Sequence, residues 1–140
     1  MTPEQKKLVQ DSFAKIAPIA DQAAALFYGR LFELDPALKA LFRNDMTEQG
    51  RKLMATLGVA VASLDDLEGL IPVLRNLGRG HVAYGVQDAH YDTVGEALLW
   101  TLEQGLGEGF TPEVKDAWVE VYTIVATVMK DSAAEIKAAE

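Results

Sequence analysis

Residues 67–81 read LEGLIPVLRNLGRGH, and this stretch decides the class of fold. Apolar residues recur along it at three- and four-residue spacing: Leu67, Leu70, Ile71, Leu74 and Leu77. This is the period of an α-helix with one apolar face, so the stretch predicts a helix with His81 on its buried side. Pro72 has no N–H to donate and is expected to kink or start this helix.

Sequence patterns typical of helix starts recur along the rest of the chain. Three segments combine a side-chain acceptor at the N-cap with proline at the first helical position: Thr2-Pro3-Glu4, Asp35-Pro36-Ala37 and Thr111-Pro112-Glu113. Further starts are predicted at residues 45–47 and at Asp88, with breaks at 65–66, 85–88 and 105–109. No segment alternates at period two, and no Asn-Gly or Asp-Gly pair joins two β-branched stretches. The sequence therefore predicts an all-α fold, with residues 1–140 in one domain.

The chain carries a marked excess of acidic residues. Its 140 residues include 13 Lys and Arg against 21 Asp and Glu, which gives a net charge of −8 with neutral histidines. This charge opposes binding to nucleic acid and to anionic membrane surfaces, so neither is expected as a partner. The N-terminal residues lack a signal-peptide pattern, and no apolar run is long enough to span a bilayer. A cytoplasmic location is expected.

Cysteine is absent, and histidine occurs twice, at His81 and His90. The composition excludes disulfides, thiolate metal sites, thiolate nucleophiles and covalent c-type haem attachment, and it leaves one or two imidazoles or carboxylates for any metal. On spacing alone, two interpretations of His81 stay open. It is either a core histidine bonded to backbone or hydroxyl groups, or a haem-iron ligand whose other ring nitrogen is held by a hydrogen bond.

Several motifs occur together in a fixed order and spacing. They are Pro36 with Leu41-Phe42, Gln49-x-x-Lys52-Leu53, Leu77-Gly78-Arg79-Gly80-His81, Tyr84-Gly85-Val86 and Tyr91-x-x-Val94-Gly95-Glu96. In these motifs the chain resembles the globin family nearly end to end. It is most similar to neuroglobin and to neuroglobin-like single-domain bacterial globins of the Hell's Gate type, and more distantly to the haem domain of flavohaemoglobins. The resemblance implies a three-over-three helical sandwich around one haem b.

The resemblance also implies which residues hold the haem. His81 corresponds to the proximal ligand of the iron, and Phe42 to the aromatic residue that packs on the porphyrin face. The other implied cofactor contacts are Gln49, Lys52, Leu53, Leu77, Val86, Tyr91 and Val94. Lys52, with Arg51 beside it, either meets the haem propionates or belongs to a solvated basic pair. His90 is expected at the surface.

Two polar residues, Tyr28 and Gln49, correspond to the distal side of the pocket and are implied to be catalytic. A phenol O–H and an amide N–H stabilise the negative charge that oxygen acquires on binding, which predicts tight binding and slow release. Gln49 stands where neuroglobin has a histidine that itself binds the iron. Coordination of the iron by two histidines is therefore not expected.

On the proximal side, Tyr91 and Tyr122 resemble two tyrosines of the flavohaemoglobin network, although Tyr91 is equally compatible with plain core. The glutamate that completes this network in flavohaemoglobins falls at Ala133. A carboxylate behind the proximal imidazole favours O–O cleavage, so its absence lowers the expectation of peroxidase chemistry.

For function, the resemblance implies a haem globin that binds O₂, NO and CO and that converts NO and O₂ to nitrate. The sequence contains no flavin or nicotinamide domain, so a separate reductase is expected as a partner. A reversible oxygen carrier or store is the alternative, which the slow release expected from Tyr28 and Gln49 disfavours. A gas sensor with a globin fold is a third class, and 140 residues are expected to leave no room for the output domain that a sensor needs.

Overall fold

The computed structural model describes residues 2–42, 46–83 and 88–139, with the backbone alone at 81–83, 88 and 136–139. In these ranges the chain forms the α-helices α1 (Pro3–Ile16), α2 (Ala20–Leu34), α3 (Met46–Ala62), α4 (Leu67–Ala83), α5 (Asp88–Leu106) and α6 (Pro112–Ala139). Short 3₁₀ segments lie at Ala17–Ile19, Pro36–Leu41 and Gly107–Gly109. Regular structure within the described ranges is therefore helical, as the sequence predicts.

Side-chain caps begin the helices at the predicted positions. Before α1, the Thr2 hydroxyl accepts from the Gln5 N–H at 3.1 Å and the Gln5 side chain accepts from the Thr2 N–H at 3.0 Å, which completes a capping box. Thr111 accepts a backbone N–H in the first turn of α6. Asp35 also caps a helix, but that helix is 3₁₀ instead of α and stops at the extended backbone of Phe42.

The breaks between helices also fall where they are expected. The predicted break at 65–66 separates α3 from α4. α5 ends at Leu106, and Gly107 follows with a φ of 55°, a left-handed conformation that glycine adopts without strain. α3 begins at Met46 and α5 at Asp88, in agreement with the predicted starts. Asp45 and most of the predicted break at 85–88 lie outside the described residues.

Helix α4 decides between the two expectations for Pro72 and differs from the prediction at Ile71. It begins at Leu67, so Pro72 does not start the helix but lies inside it, where its nitrogen cannot donate to the carbonyl one turn earlier. Ile71, predicted on the buried face, is 41% exposed, whereas Leu70 and Leu74 are 3% and 2% exposed. Successive helical residues are about 100° apart, so a stripe centred on Leu70 and Leu74 leaves Ile71 at its edge.

Among the residues that the structure describes, the helices enclose an apolar core in two parts. α1 packs on α3, α5 and α6, α2 packs on α3 and α5, and α4 packs on α6. The larger cluster, mostly from α1, α2, α5 and α6, has Phe27, Leu31 and Trp118 among its buried side chains. The smaller cluster consists of Ala60, Leu70, Leu74, Tyr91, Ala126 and Met129. The half-buried side chains that pack against both clusters include Leu67, Tyr122 and Val125.

A buried hydrogen bond connects α1 to α6 inside the larger cluster. Trp118 is 1% exposed, and its Nε1–H donates to Ser12 Oγ at 2.8 Å. The other tryptophan, Trp100 on α5, is half-buried under the guanidinium of Arg30, which lies 5.4 Å from its ring. Both tryptophans therefore supply packing area between helices. Within the part of the chain that the structure describes, no helix has the length and apolar character needed to cross a membrane.

Candidate functional site

Tyr28 lies on the buried face of α2 among other aromatic rings. It is 7% exposed, and its ring centroid is 5.0 Å from that of Phe27, 5.3 Å from that of Phe42 and 6.1 Å from that of Phe32. The rings of Phe27 and Phe42 meet it edge to face, which is the arrangement that aromatic quadrupoles favour. These contacts hold the phenol in one orientation in apolar surroundings.

The Gln49 side chain, from α3, is hydrogen-bonded to the Tyr28 phenol. Burial raises the pKa of Tyr28, and the hydrogen bond with Gln49 offsets part of this rise. The phenol is therefore neutral at physiological pH and keeps an O–H that it can donate. The structure thus brings together the two residues that the sequence predicts on the distal side.

Close packing of α2 on α3 explains how Gln49 reaches Tyr28. A β-carbon on Gly50 would lie 2.9 Å from the Cβ of Ala24, so glycine at this position lets the two helices approach. Ala24 lies one turn before Tyr28 on α2, and Gly50 is next to Gln49 on α3. Two small residues at the helix contact therefore place the two polar side chains beside each other.

Helix α3 also carries an apolar residue next to this pair. Leu53 lies one turn after Gln49; both are half-buried, and Leu53 packs against the larger cluster. Residues four apart share one face of a helix, so Leu53 adds an apolar wall beside the amide. Arg51 and Lys52 are exposed, where either solvent or an anionic group at the protein surface can reach them.

Helix α4 carries residue 81 in its last turn. The side chain of His81 lies outside the described residues, as does the whole of Val86. Leu77, one turn before His81, is half-buried and packs against the smaller cluster. The structure therefore gives the backbone position of the predicted iron ligand and one apolar neighbour on its helix.

Helix α5 supplies the other predicted contacts. Tyr91 is 6% exposed and belongs to the smaller cluster, while Val94 is half-buried and packs against the larger one. His90, predicted at the surface, is half-buried in the first turn of α5. Its neighbour Tyr91 extends into the smaller cluster, so this turn lies closer to the core than the sequence indicates.

The two tyrosines predicted in a proximal network do contact each other, but through the main chain. Tyr122 on α6 donates its phenol O–H to the backbone carbonyl of Tyr91. Burial raises the pKa of Tyr122, and the nearby Tyr91 and Asp92 raise it further. Ala133, where flavohaemoglobins carry the glutamate, is 4% exposed and has no carboxylate to offer.

Sequence reasoning missed contacts between α4, α5 and α6. Lys130 Nζ lies 5.7 Å from the centre of the Tyr91 ring, within the range of a cation–π interaction. Gly78 approaches the backbone of Met129, and the hydroxyl of Ser132 bonds to α4. The position of Gly78 inside a predicted helix did indicate close packing. Glycine there costs about 1 kcal/mol relative to alanine, and a close approach of another element is a common reason for keeping it.

The described residues fit a haem. Such a cofactor needs apolar side chains against its faces and a polar group near the open coordination position of the iron. Four predicted contacts are apolar side chains that pack on the core and still keep exposed surface: Phe42, Leu53, Leu77 and Val94. Tyr28 supplies a buried O–H next to Phe42.

Comparisons with known proteins give one consistent result. A family model for globins matches residues 25–129. Neuroglobin from Danio rerio and Neuroglobin-2 from Oncorhynchus mykiss are each 34% identical to this chain, over alignments that cover 92% of it and 90% of each relative.

Among solved structures, the chain is similar to RmaNOD, an engineered carbene transferase made from a candidate nitric oxide dioxygenase of Rhodothermus marinus. The TM-score is 0.90 at 27% identity, and the alignment covers 99% of this chain and 97% of that one. The predicted all-α, three-over-three fold is confirmed. The chain belongs to the globin family, whose members bind haem and, at its iron, diatomic gases.

Proposed function

We propose that this globin binds one haem b through His81 and converts NO and O₂ to nitrate, as a nitric oxide dioxygenase. The observation that carries the proposal is the buried phenol of Tyr28 beside the amide of Gln49. The haem, when bound, supplies the iron that binds O₂ and that loses one electron as NO and O₂ combine to nitrate. A separate reductase returns that electron after each turnover.

Tyr28 and Gln49 act as two donors fixed before the reaction begins. The rings of Phe27 and Phe42 hold the phenol in place, so it does not have to reorient when negative charge develops nearby. Apolar surroundings also strengthen the interaction of the donors with that charge, because less water screens it. Leu53, beside Gln49, limits the entry of water into the space where NO waits.

The remaining site residues hold the cofactor in this proposal. Contacts with the haem come from Phe42, Gln49, Leu53, Leu77, Val86, Tyr91 and Val94, and Lys52 pairs with a propionate. Support comes from the half-buried state of Phe42 and Leu77 and from the exposed position of Lys52. The source protein of RmaNOD, which carries the name of this reaction, also supports it.

A reversible oxygen carrier is the second candidate. The 34% identity to neuroglobins, whose names state no reaction, fits this alternative. It differs from the first candidate in whether an electron has to be supplied for every cycle. A carrier exchanges O₂ without needing repeated reduction, whereas a dioxygenase has to be reduced once in every cycle.

Sustained turnover is the measurement that tests the proposal. The haem-loaded protein is supplied with NADH, a surrogate flavin reductase, O₂ and NO, and nitrate is followed over many equivalents of NO. We expect continued nitrate formation, a slower rate in Tyr28→Phe, and an unchanged rate in Thr123→Val, which removes an exposed hydroxyl from α6. One equivalent of nitrate followed by arrest with every reductant tried, together with reversible O₂ exchange, would establish the carrier instead.

A further inference from the structure

Helices α4 and α6 approach each other backbone to backbone at Gly78. A β-carbon on this buried glycine would lie 2.5 Å from the carbonyl oxygen of Met129 and 2.9 Å from its Cα. These are main-chain atoms inside a helix, so they cannot rotate aside as the end of a side chain does. Any residue larger than glycine at position 78 has to push the two helices apart.

A hydrogen bond from a buried serine lies one turn away along the same contact. Ser132 is 0% exposed, and its Oγ donates to the backbone carbonyl of Arg75 at 2.7 Å. Ser132 comes three residues after Met129, and Arg75 comes three residues before Gly78. The two contacts therefore follow the helices in antiparallel register and, together, oppose both sliding and separation. Arg75 also forms an ion pair with Glu135 at the exposed end of this contact.

We propose that Gly78 and Ser132 are positioning residues for the iron ligand. Both fix the backbone of α4 against α6, and Gly78 precedes His81 by a single turn. The position of the residue 81 backbone relative to α6 would then determine how well its imidazole reaches the iron of a bound haem. This inference rests on the proposed role of His81 as the proximal ligand.

The expected displacement is large for a metal site. To reach ordinary contact at 3.4 Å, a β-carbon now 2.5 Å from the Met129 carbonyl has to move by about 0.9 Å. Ligand sets need to be held to within about 0.5 Å of their working geometry. A methyl group at position 78 is therefore sufficient to disturb the bond to iron without changing any group that touches the haem.

Gly80 offers a matched control on the same helix. A β-carbon at Gly80 meets no atom within 4 Å in the described part of the chain, so Gly80→Ala makes the same chemical change without a steric conflict. For Ser132→Ala, the control is Thr123→Val. The Thr123 hydroxyl is exposed and bonds to the Val119 carbonyl of its own helix, so its loss breaks no bond between helices.

The experiment uses the haem-loaded protein and two readouts that do not depend on turnover. One is the iron–histidine stretching band of the ferrous protein in resonance Raman spectra, and the other is the rate of haem loss to an excess of apomyoglobin. We expect a shifted band and roughly tenfold faster haem loss in Gly78→Ala and Ser132→Ala, since changes behind a metal ligand typically weaken binding by about 10- to 100-fold. Gly80→Ala and Thr123→Val should match the unmodified protein in both readouts.

An unshifted band and unchanged haem loss in Ser132→Ala and in folded Gly78→Ala would overturn the inference. If Gly78→Ala does not fold, Ser132→Ala decides by itself, because it removes one oxygen atom without adding volume. His81→Gly separates this result from a failure of the proposed function. A haem spectrum that survives in His81→Gly refutes the assigned ligand, whereas unchanged Ser132→Ala and Gly78→Ala with a haem-depleted His81→Gly refute the positioning role alone.

Discussion

The indole nitrogen of Trp118 and the hydroxyl oxygen of Ser12 are 2.8 Å apart across the contact of α1 with α6. Ser12 is 5% exposed and passes its own hydrogen to main-chain carbonyls of α1, those of Leu8 and Val9. The buried N–H therefore has an acceptor, and the acceptor has a fixed orientation. This arrangement fixes α1 against α6.

Ser12→Ala should destabilise the protein by about 1 to 3 kcal/mol, because it leaves the Trp118 N–H buried without its partner. Trp118→Phe is expected to cost more, since it removes the donor and also a large part of a well-packed ring. Urea denaturation of both variants and of the double variant measures the interaction between the two residues. Additive losses in the double variant would show that the hydrogen bond contributes nothing.

His81→Gly should deplete the purified protein of haem, and added imidazole should restore part of it, because the free ligand can occupy the place of the missing side chain. His90→Ala should leave haem content unchanged. Absorption spectra and haem-to-protein ratios measure both. Since haem binds the folded chain, the depleted variant should also melt at a lower temperature than the loaded protein. Full haem content in His81→Gly with loss in His90→Ala would reverse the assignment.

Tyr28→Phe should speed O₂ release by roughly ten- to hundredfold, which corresponds to the loss of about 1.5 to 3 kcal/mol from a hydrogen bond to a partly charged group. CO acquires little charge on binding, so its release should change much less. Stopped-flow displacement and flash photolysis give the two rates. If both gases respond equally, the Tyr28 ring acts as a steric barrier and its O–H is not a donor to the ligand.

Stability should fall at alkaline pH in a way that depends on Tyr122. The pKa of Tyr122 in the folded chain lies above its ordinary value of 10.0. The contribution of the protonated phenol to the free energy of unfolding is therefore complete below pH 10 and is lost as the pH rises further. In that range, the unfolded chain releases the proton first, and the free energy of unfolding declines by about 1.4 kcal/mol per pH unit.

Urea denaturation between pH 8 and pH 11 tests this pH dependence. Tyr122→Phe should decline less steeply than the unmodified protein above pH 10, while Thr123→Val should keep the original slope. The slope is the relevant quantity, since Tyr122→Phe also removes the hydrogen bond to the Tyr91 carbonyl at every pH. Equal slopes in all three proteins would mean that Tyr122 does not cause the decline.

Local features of the fold were predictable because they depend on neighbours in sequence. The N-cap of Thr2 and the helical period of residues 67–81 are examples, and both appear in the structure. The period does not say which edge of an apolar stripe faces the core, so the prediction that Ile71 is buried is wrong. Asp35 was predicted as a helix start, but propensity does not distinguish the 3₁₀ helix that follows it from an α-helix.

In the candidate site, too, the identity of some residues is predictable from the sequence, whereas their contacts across helices are not. The resemblance to globins indicates Tyr28 and Gln49, but their contact depends on the crossing of α2 and α3 at Ala24 and Gly50, which spacing along one helix does not reveal. The role of Ser132 is not predictable from the sequence, because its hydrogen-bond partner lies 57 residues earlier and a serine within a helix does not by itself indicate a contact between helices. Contacts between distant helices depend on how the helices are placed in space, and that information is spread over the whole core.

The division of the apolar core into two clusters has a consequence for how the chain acquires its prosthetic group. Helix α4 packs chiefly on α6, and half-buried side chains such as Leu67 and Val125 join the smaller cluster to the larger one. We therefore expect α4 and the adjoining half of α6 to open together before the rest of the molecule unfolds, with the contact at Gly78 carried along intact. A newly synthesised chain can then complete its larger cluster first and admit haem afterwards, through a breathing motion instead of global unfolding.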